Sequence, residues 1–251
     1  MSRLDQLLAK LKRANDHIRD FEEALAAFLN ADPYSFVIDD DTKPGERTYK
    51  IVPAQRPPVH LSLIAGDAIH NLRSVLDHMV CHLVTANGNA INGATAFPIH
   101  QAPPKGKMAD SAKVNGVTPL AIDLIEACQP YMTLCDDLWE LHQLDIADKH
   151  QLLLLVCAIP IRAVVTISDG TPNSAFLQFT MPFTGPIPDD GAEIGGLLGI
   201  PDPKMHENLN LTVDVTFIQP EIVNGDSVLH LLKKQSNLVE GIIRSFSGYL
   251  Q

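Results

Sequence analysis

The chain has 251 residues, 45% of them hydrophobic and 20% charged, with a formal net charge of −11. That composition belongs to a folded protein, and the length suits one large domain or two small ones. The acidic balance excludes a broad, non-specific nucleic-acid surface, which needs basic residues, but leaves room for a local basic site.

Leu4, Leu7, Leu11, Ala14, Ile18, Phe21, Leu25 and Phe28 recur at alternating spacings of three and four, which is a heptad seam. One helix is predicted over about 2–30, roughly 40 Å long. Its seam fits an intramolecular bundle or a dimer. The first residues are charged and amphipathic, without the apolar block of a secretory signal. Asp32-Pro33 stops the helix, and the runs 34–38 and 47–52, flanking a turn-rich DDDTKPGE, predict a β-hairpin.

The stretch 60–84 predicts an amphipathic helix. Ala68, Ile69, Leu72, Val75, Leu76, Met79, Val80 and Leu83 share one arc. Asp67, His70, Asn71, Ser74, Asp77, His78, Cys81 and His82 share the other, with Arg73 at its border. Solvated helix faces favour Lys and Glu. This face has neither, and its short titratable side chains suit a site or a buried network.

Residues 87–117 read as a loop anchored by Phe97-Pro98-Ile99, with Lys105, Lys107 and Lys113 as solvated surface or part of a lid. Thr118-Pro119 starts a short helix that runs to Cys128. Another helix is predicted over 135–151, with Leu138, Trp139, Leu141, Leu144 and Ile146 spread around the wheel. Such a helix is buried, so its His142, Asp145, Asp148, Lys149 and His150 need partners. The polar face of 60–84 is the natural one. Strands follow at 152–158, 161–168, 175–181 and 209–218. Asp226-Ser227 then caps a closing helix carrying Val228, Leu231, Leu232, Leu238, Ile242, Ile243 and Phe246. The predicted class is α+β: a helical bundle over 1–151, an antiparallel β unit over 152–220, and a helix over 226–251 that packs back on the bundle. Cys81, Cys128, Cys135 and Cys157 lack Cys-x-x-Cys spacing, and the longest apolar run, 152–161, is too short to span a bilayer. A soluble cytoplasmic protein with reduced thiols and no membrane partner is expected.

The stretch HNLRSVLDH, with Arg73 and His78, resembles the Arg-x4–6-His signature of the HEPN superfamily of small helical bundles. Many of its members are metal-independent ribonucleases of toxin and antiviral systems. The resemblance implies an up-and-down bundle, RNA as partner, and a homodimer in which Arg73 and His78 face their symmetry mates. It covers the signature and, loosely, the helical order of 1–150; Ser74 stands where that family often has Asn, Asp or His. The β unit is no part of the minimal family bundle. GDAIHNLRSVLDH and LDIADKH are also similar to bacterial and phage proteins of unassigned role, which implies no activity.

Three chemistries fit these residues. RNA cleavage needs a proton acceptor at the 2′-hydroxyl, a donor at the 5′-oxygen and positive charge at phosphorus. His78 and Arg73 suit those tasks, Asp77 would orient an imidazole or neutralise Arg73, and no cofactor is required. The plain alternative for Arg73 and Asp77 is an i,i+4 ion pair. Metal binding would join His78 and His82, also i,i+4, to His142 and Asp145, with Asp67 on the same arc as the first two. In the third reading Asp67, His70, Asn71, His142, Asp145, Asp148, Lys149 and His150 form a structural network in a non-catalytic module that binds another protein. Phosphate-binding glycine loops, Gly-x-Ser-x-Gly elbows and dinucleotide fingerprints are missing from the sequence.

Overall fold

The computed structural model describes residues 1–43, 46–133, 135–151, 155–158, 163–168, 188, 190–198, 206–211, 214–217 and 227–250. Five α-helices stand out among them: α1 (Arg3–Leu29), α2 (Val59–Ala86), α3 (Pro119–Ala127), α4 (Asp136–His150) and α5 (Val228–Ser245). The strands are β1 (Tyr34–Lys43), β2 (Glu46–Pro53), β3 (Leu155–Ala158), β4 (Ala163–Ser168), β5 (Ala192–Leu198), β6 (His206–Leu211) and β7 (Asp214–Phe217). The class is α+β, with antiparallel strand pairing throughout these strands.

α1, α3 and α5 begin at side-chain caps, whereas α2 begins at Pro58 and α4 at Cys135 without one. Ser2 Oγ accepts from the Asp5 amide at 3.1 Å while the Asp5 carboxylate accepts from the Ser2 amide at 2.9 Å. That closes a capping box. Thr118 Oγ1 accepts from the Ala121 amide at 3.4 Å ahead of Pro119 at the first helical position. Ser227 Oγ accepts from the His230 amide at 3.3 Å; the other expected cap, Asp226, lies outside the described residues.

α2 is the centre of the bundle and packs against α1, α4 and α5. Its predicted apolar arc is buried along its whole length, from Ala68 to Leu83. The heptad residues of α1 from Leu7 to Phe28 are also buried within the single chain. The seam is therefore consumed intramolecularly, the first of the two readings its spacing allowed. α5 closes the bundle from the far end of the sequence: Lys233 Nζ lies 2.7 Å from Glu22 Oε1, Ser236 Oγ donates to Asn15 Oδ1 at 2.5 Å, and Gln235 Nε2 donates to the Asp137 carbonyl at 2.7 Å. No helix among the described residues is long and apolar enough to cross a membrane.

The strands depart from expectation in two places. The hairpin β1–β2 extends to a third strand, β5, with Glu46 opposite Leu198 and Ile51 opposite Ala192. β5 reads AEIGGLL, and its paired glycines hide it from any propensity argument. The run predicted over 209–218 divides into β6 and β7, which pair with β4 and β3 respectively. The expected strand at 175–181 lies outside the described residues.

Phe21 is fully buried on α1, whereas Leu63 on α2 is 54% exposed. Phe21→Ala is expected to cost about 3–5 kcal/mol in chemical denaturation, and Leu63→Ala about 0.5 kcal/mol or less. Equal small effects would show that the α1 seam is open in solution.

Candidate functional site

The two polar helices touch. α4 lies along α2, and the side chains between them fall into an inner and an outer group.

The inner group is built on Arg73, which is only 4% exposed. Its Nη1 donates to Asp77 Oδ1 at 2.5 Å, its Nη2 to the Phe97 carbonyl at 3.1 Å, and its Nε makes a long 3.5 Å contact to His142 Nδ1. Asp77 Oδ1 also accepts from the Phe97 amide at 2.8 Å. The i,i+4 pair on α2 thus satisfies both backbone polar groups of a residue whose ring is in the core. Further pins hold this connection: the Ala96 amide donates to the Lys113 carbonyl at 3.1 Å, and the His100 amide to the Pro130 carbonyl at 3.0 Å. The Phe97 contacts tie the segment expected as loop or lid to α2, and the other two bonds fasten it to itself and to the turn after α3. Lys105 and Lys107 are solvated, but Lys113 is half-buried near Arg73, and burial followed by the Arg73 charge pushes its ammonium down.

His142 is pushed down to about 4, first by burial and then by Arg73 and Lys113. It is therefore neutral near pH 7. With Nδ1 accepting from Arg73, its proton sits on Nε2. The Trp139 ring meets it edge-on, centroids 6.2 Å apart.

The outer group is built on Asp145, 2% exposed. One carboxylate oxygen lies 3.1 Å from His70 Nδ1, the other 2.5 Å from Lys149 Nζ. The His70 side chain is 52% exposed, and its Nε2 is 3.4 Å from Ser74 Oγ. Asp148 completes the group. Its carboxyl is raised by burial, then by Asp145 and Asp67, and it lies so close to Gly66 that a Cβ there would be 2.3 Å from Oδ1. Gly66 thus leaves room for the Asp148 carboxylate against α2.

The remaining predicted residues lie apart. Asn71 faces α1, donating to the Asp67 carbonyl at 2.7 Å and accepting from Lys10 Nζ at 3.3 Å. Asp67 and His150 are exposed. His78 is exposed, lowered by burial and then by Lys10; His82 is half-buried, lowered by burial, then by His78 and Arg3. Both therefore sense α1, while His142 and Asp145 belong to the α4 seam. This corrects the alternative metal shell of His78, His82, His142 and Asp145: among the described residues no group of three or more His, Cys, Asp or Glu is placed to hold a metal. Arg73 and His78, five residues apart, project about 140° apart around the helix. The described cysteines Cys81, Cys128 and Cys135 are free, and burial, then Cys135, pushes Cys128 up to about 11, far from a reactive thiolate.

Ser74 and Gly66 were visible as residues of the polar helix but carried no signal of their roles. The Phe97 backbone carried none either, because its partners stand 20 and 24 positions away.

Arg73→Met would leave the Phe97 carbonyl and the Asp77 charge without their main partner. The expected cost is about 3–5 kcal/mol, with faster hydrogen exchange at the Phe97 amide; unchanged stability would mean the clamp is dispensable. His142 supplies a pH dependence. Its folded value lies below the unfolded one, so the unfolded state takes up the proton first as pH falls. The stabilisation is complete above about 6.5 and is lost as pH falls towards about 4. Denaturation between pH 7.5 and 4.5 should show wild type losing more stability than His142→Asn, and parallel losses would contradict this.

No protein-family model, curated protein or solved structure matches this chain at a significant level, so the functional reading rests on these side chains.

Proposed function

We propose that this chain is a metal-independent acid–base catalyst acting on RNA, within a helical bundle of HEPN-like type, with His70 as its proton-transfer group. One observation carries the reading: an accessible imidazole whose Nδ1 is held at 3.1 Å by a carboxylate that is itself 2% exposed. The buried carboxylate fixes ring orientation and tautomer, which leaves Nε2 as the base, beside Ser74 Oγ on a ring that reaches solvent. In RNA cleavage Nε2 takes the 2′-hydroxyl proton as that oxygen attacks phosphorus. The bond from phosphorus to the 5′-oxygen breaks, and that oxygen leaves with a proton from water, giving a 2′,3′-cyclic phosphate and a free 5′-hydroxyl. Lys149, bound to the same carboxylate, stands beside the ring to meet phosphate charge. His78 stands two turns further on and about 80° round α2, towards Lys10 of α1, outside this group. Arg73 acts in this reading through the Phe97 clamp, without touching substrate. A homodimer belongs to the proposal, but its contact uses a face other than the buried α1 seam.

A second reading, a binding module whose polar seam is purely structural, is favoured by the burial of Arg73. One experiment separates the two. Wild type, His70→Ala and His78→Ala are incubated with mixed structured and single-stranded RNA in excess chelator, each with its melting temperature. Cleavage by wild type and its loss by ~10²-fold or more in His70→Ala, at nearly unchanged melting temperature, supports catalysis. Absence of cleavage by wild type overturns it.

A further inference from the structure

We propose that Ser74 is a nucleophile activated by His70, and that the site hydrolyses small activated carboxylic esters. The inference rests on the same assignment of His70 as base and goes beyond it in naming a covalent step. A hydroxyl, an imidazole and a buried carboxylate stand in one line: Ser74 Oγ is 3.4 Å from His70 Nε2, and His70 Nδ1 is 3.1 Å from Asp145 Oδ1. Such a relay is recognised by geometry and roles, whatever the order of its members along the chain. With Nδ1 donating to the Asp145 carboxylate, Nε2 is the ring nitrogen left to accept from the Ser74 hydroxyl. A serine inside a helix ordinarily turns its hydroxyl to water or to a preceding carbonyl. Here it meets the one ring nitrogen that Asp145 leaves free.

The step balances with water as the sole co-reactant. Ser74 Oγ bonds to the ester carbonyl carbon while its proton passes to His70 Nε2. The alkoxide leaves and takes that proton, giving a free alcohol and an acyl-serine. Water then attacks the acyl carbon, its proton passes to Nε2, and Ser74 Oγ leaves and recovers it, releasing the carboxylic acid. Helix geometry sets the substrate class. Amides in the middle of α2 are spent on its own ladder, so α2 itself offers no pair of backbone donors to the developing oxyanion. Esters with good leaving groups need that stabilisation least. Asp145 is a positioning residue, since it meets the substrate only through His70.

The full chain is treated with a fluorophosphonate probe, and the adduct is mapped by peptide mass spectrometry. Phosphorus bonds to Ser74 Oγ, fluoride leaves and the proton goes to His70. One adduct at Ser74 is expected, absent in Ser74→Ala and formed ~10²-fold more slowly or worse in His70→Ala. Asp145→Asn should slow labelling and Asp145→Glu should restore part of it, each at a melting temperature that shows the fold intact. Ser74→Cys should take up iodoacetamide faster than Cys81 does. Absence of an adduct, or one that persists in Ser74→Ala, overturns the proposal. The RNA assay is independent: labelling without RNA cleavage retains Ser74 and discards the ribonuclease, and cleavage without labelling does the reverse.

Discussion

Two charges are taken out of water where α4 meets α2, Arg73 from one helix and Asp145 from the other. Each would cost several kcal/mol if left alone, and the surrounding structure is arranged so that neither is. They do not pair with one another. Arg73 turns to Asp77, Phe97 and His142, whereas Asp145 turns to His70 and Lys149. Their separation creates two unlike environments along one seam. Around Arg73 the groups are buried or half-buried, the histidine is held neutral and a connecting segment is fastened. Around Asp145 the carboxylate is buried but both partners reach solvent.

That asymmetry bears on which residues can act. The arginine of the Arg-x4-His stretch is enclosed and its donors are engaged, which suits architecture. The histidine one turn before Ser74 has the properties expected of a proton-transfer group: access, a fixed ring and a buried counter-charge. Gly66 leaves room for the Asp148 carboxylate beside this group, and a side chain there would displace that carboxylate.

Much of the helical architecture was legible in the sequence because its signal is local. The arc from Ala68 to Leu83 and the seam from Leu7 to Phe28 are periodic, and the elements they predict match α2 and α1 to within a few residues. That α4 would need partners also followed from apolar residues on every side. The polar face of α2 as that partner followed too, since His70 and Arg73 meet Asp145 and His142. That Arg73 also reaches the Phe97 backbone did not, because it depends on where a connecting segment returns in space. β5 was missed for a related reason: Gly195 and Gly196 weaken its propensity, and its place is fixed by pairing with β2, far away in the chain. Ser74 and His70 stand at the i,i+4 spacing of one helix, but the contact of His70 with Asp145 of a second helix leaves no spacing to detect.

The closure of the bundle by α5 has a consequence during synthesis. The side-chain bonds joining α5 to α1 span 211 and 221 positions. A ribosome adding roughly 5–20 residues per second needs roughly 10–40 s to cover that distance. Throughout that interval the nascent chain carries α1 with part of its apolar seam uncovered. The bundle therefore completes late, and the emerging chain is a natural client for chaperones that shield exposed apolar helices until the last element arrives.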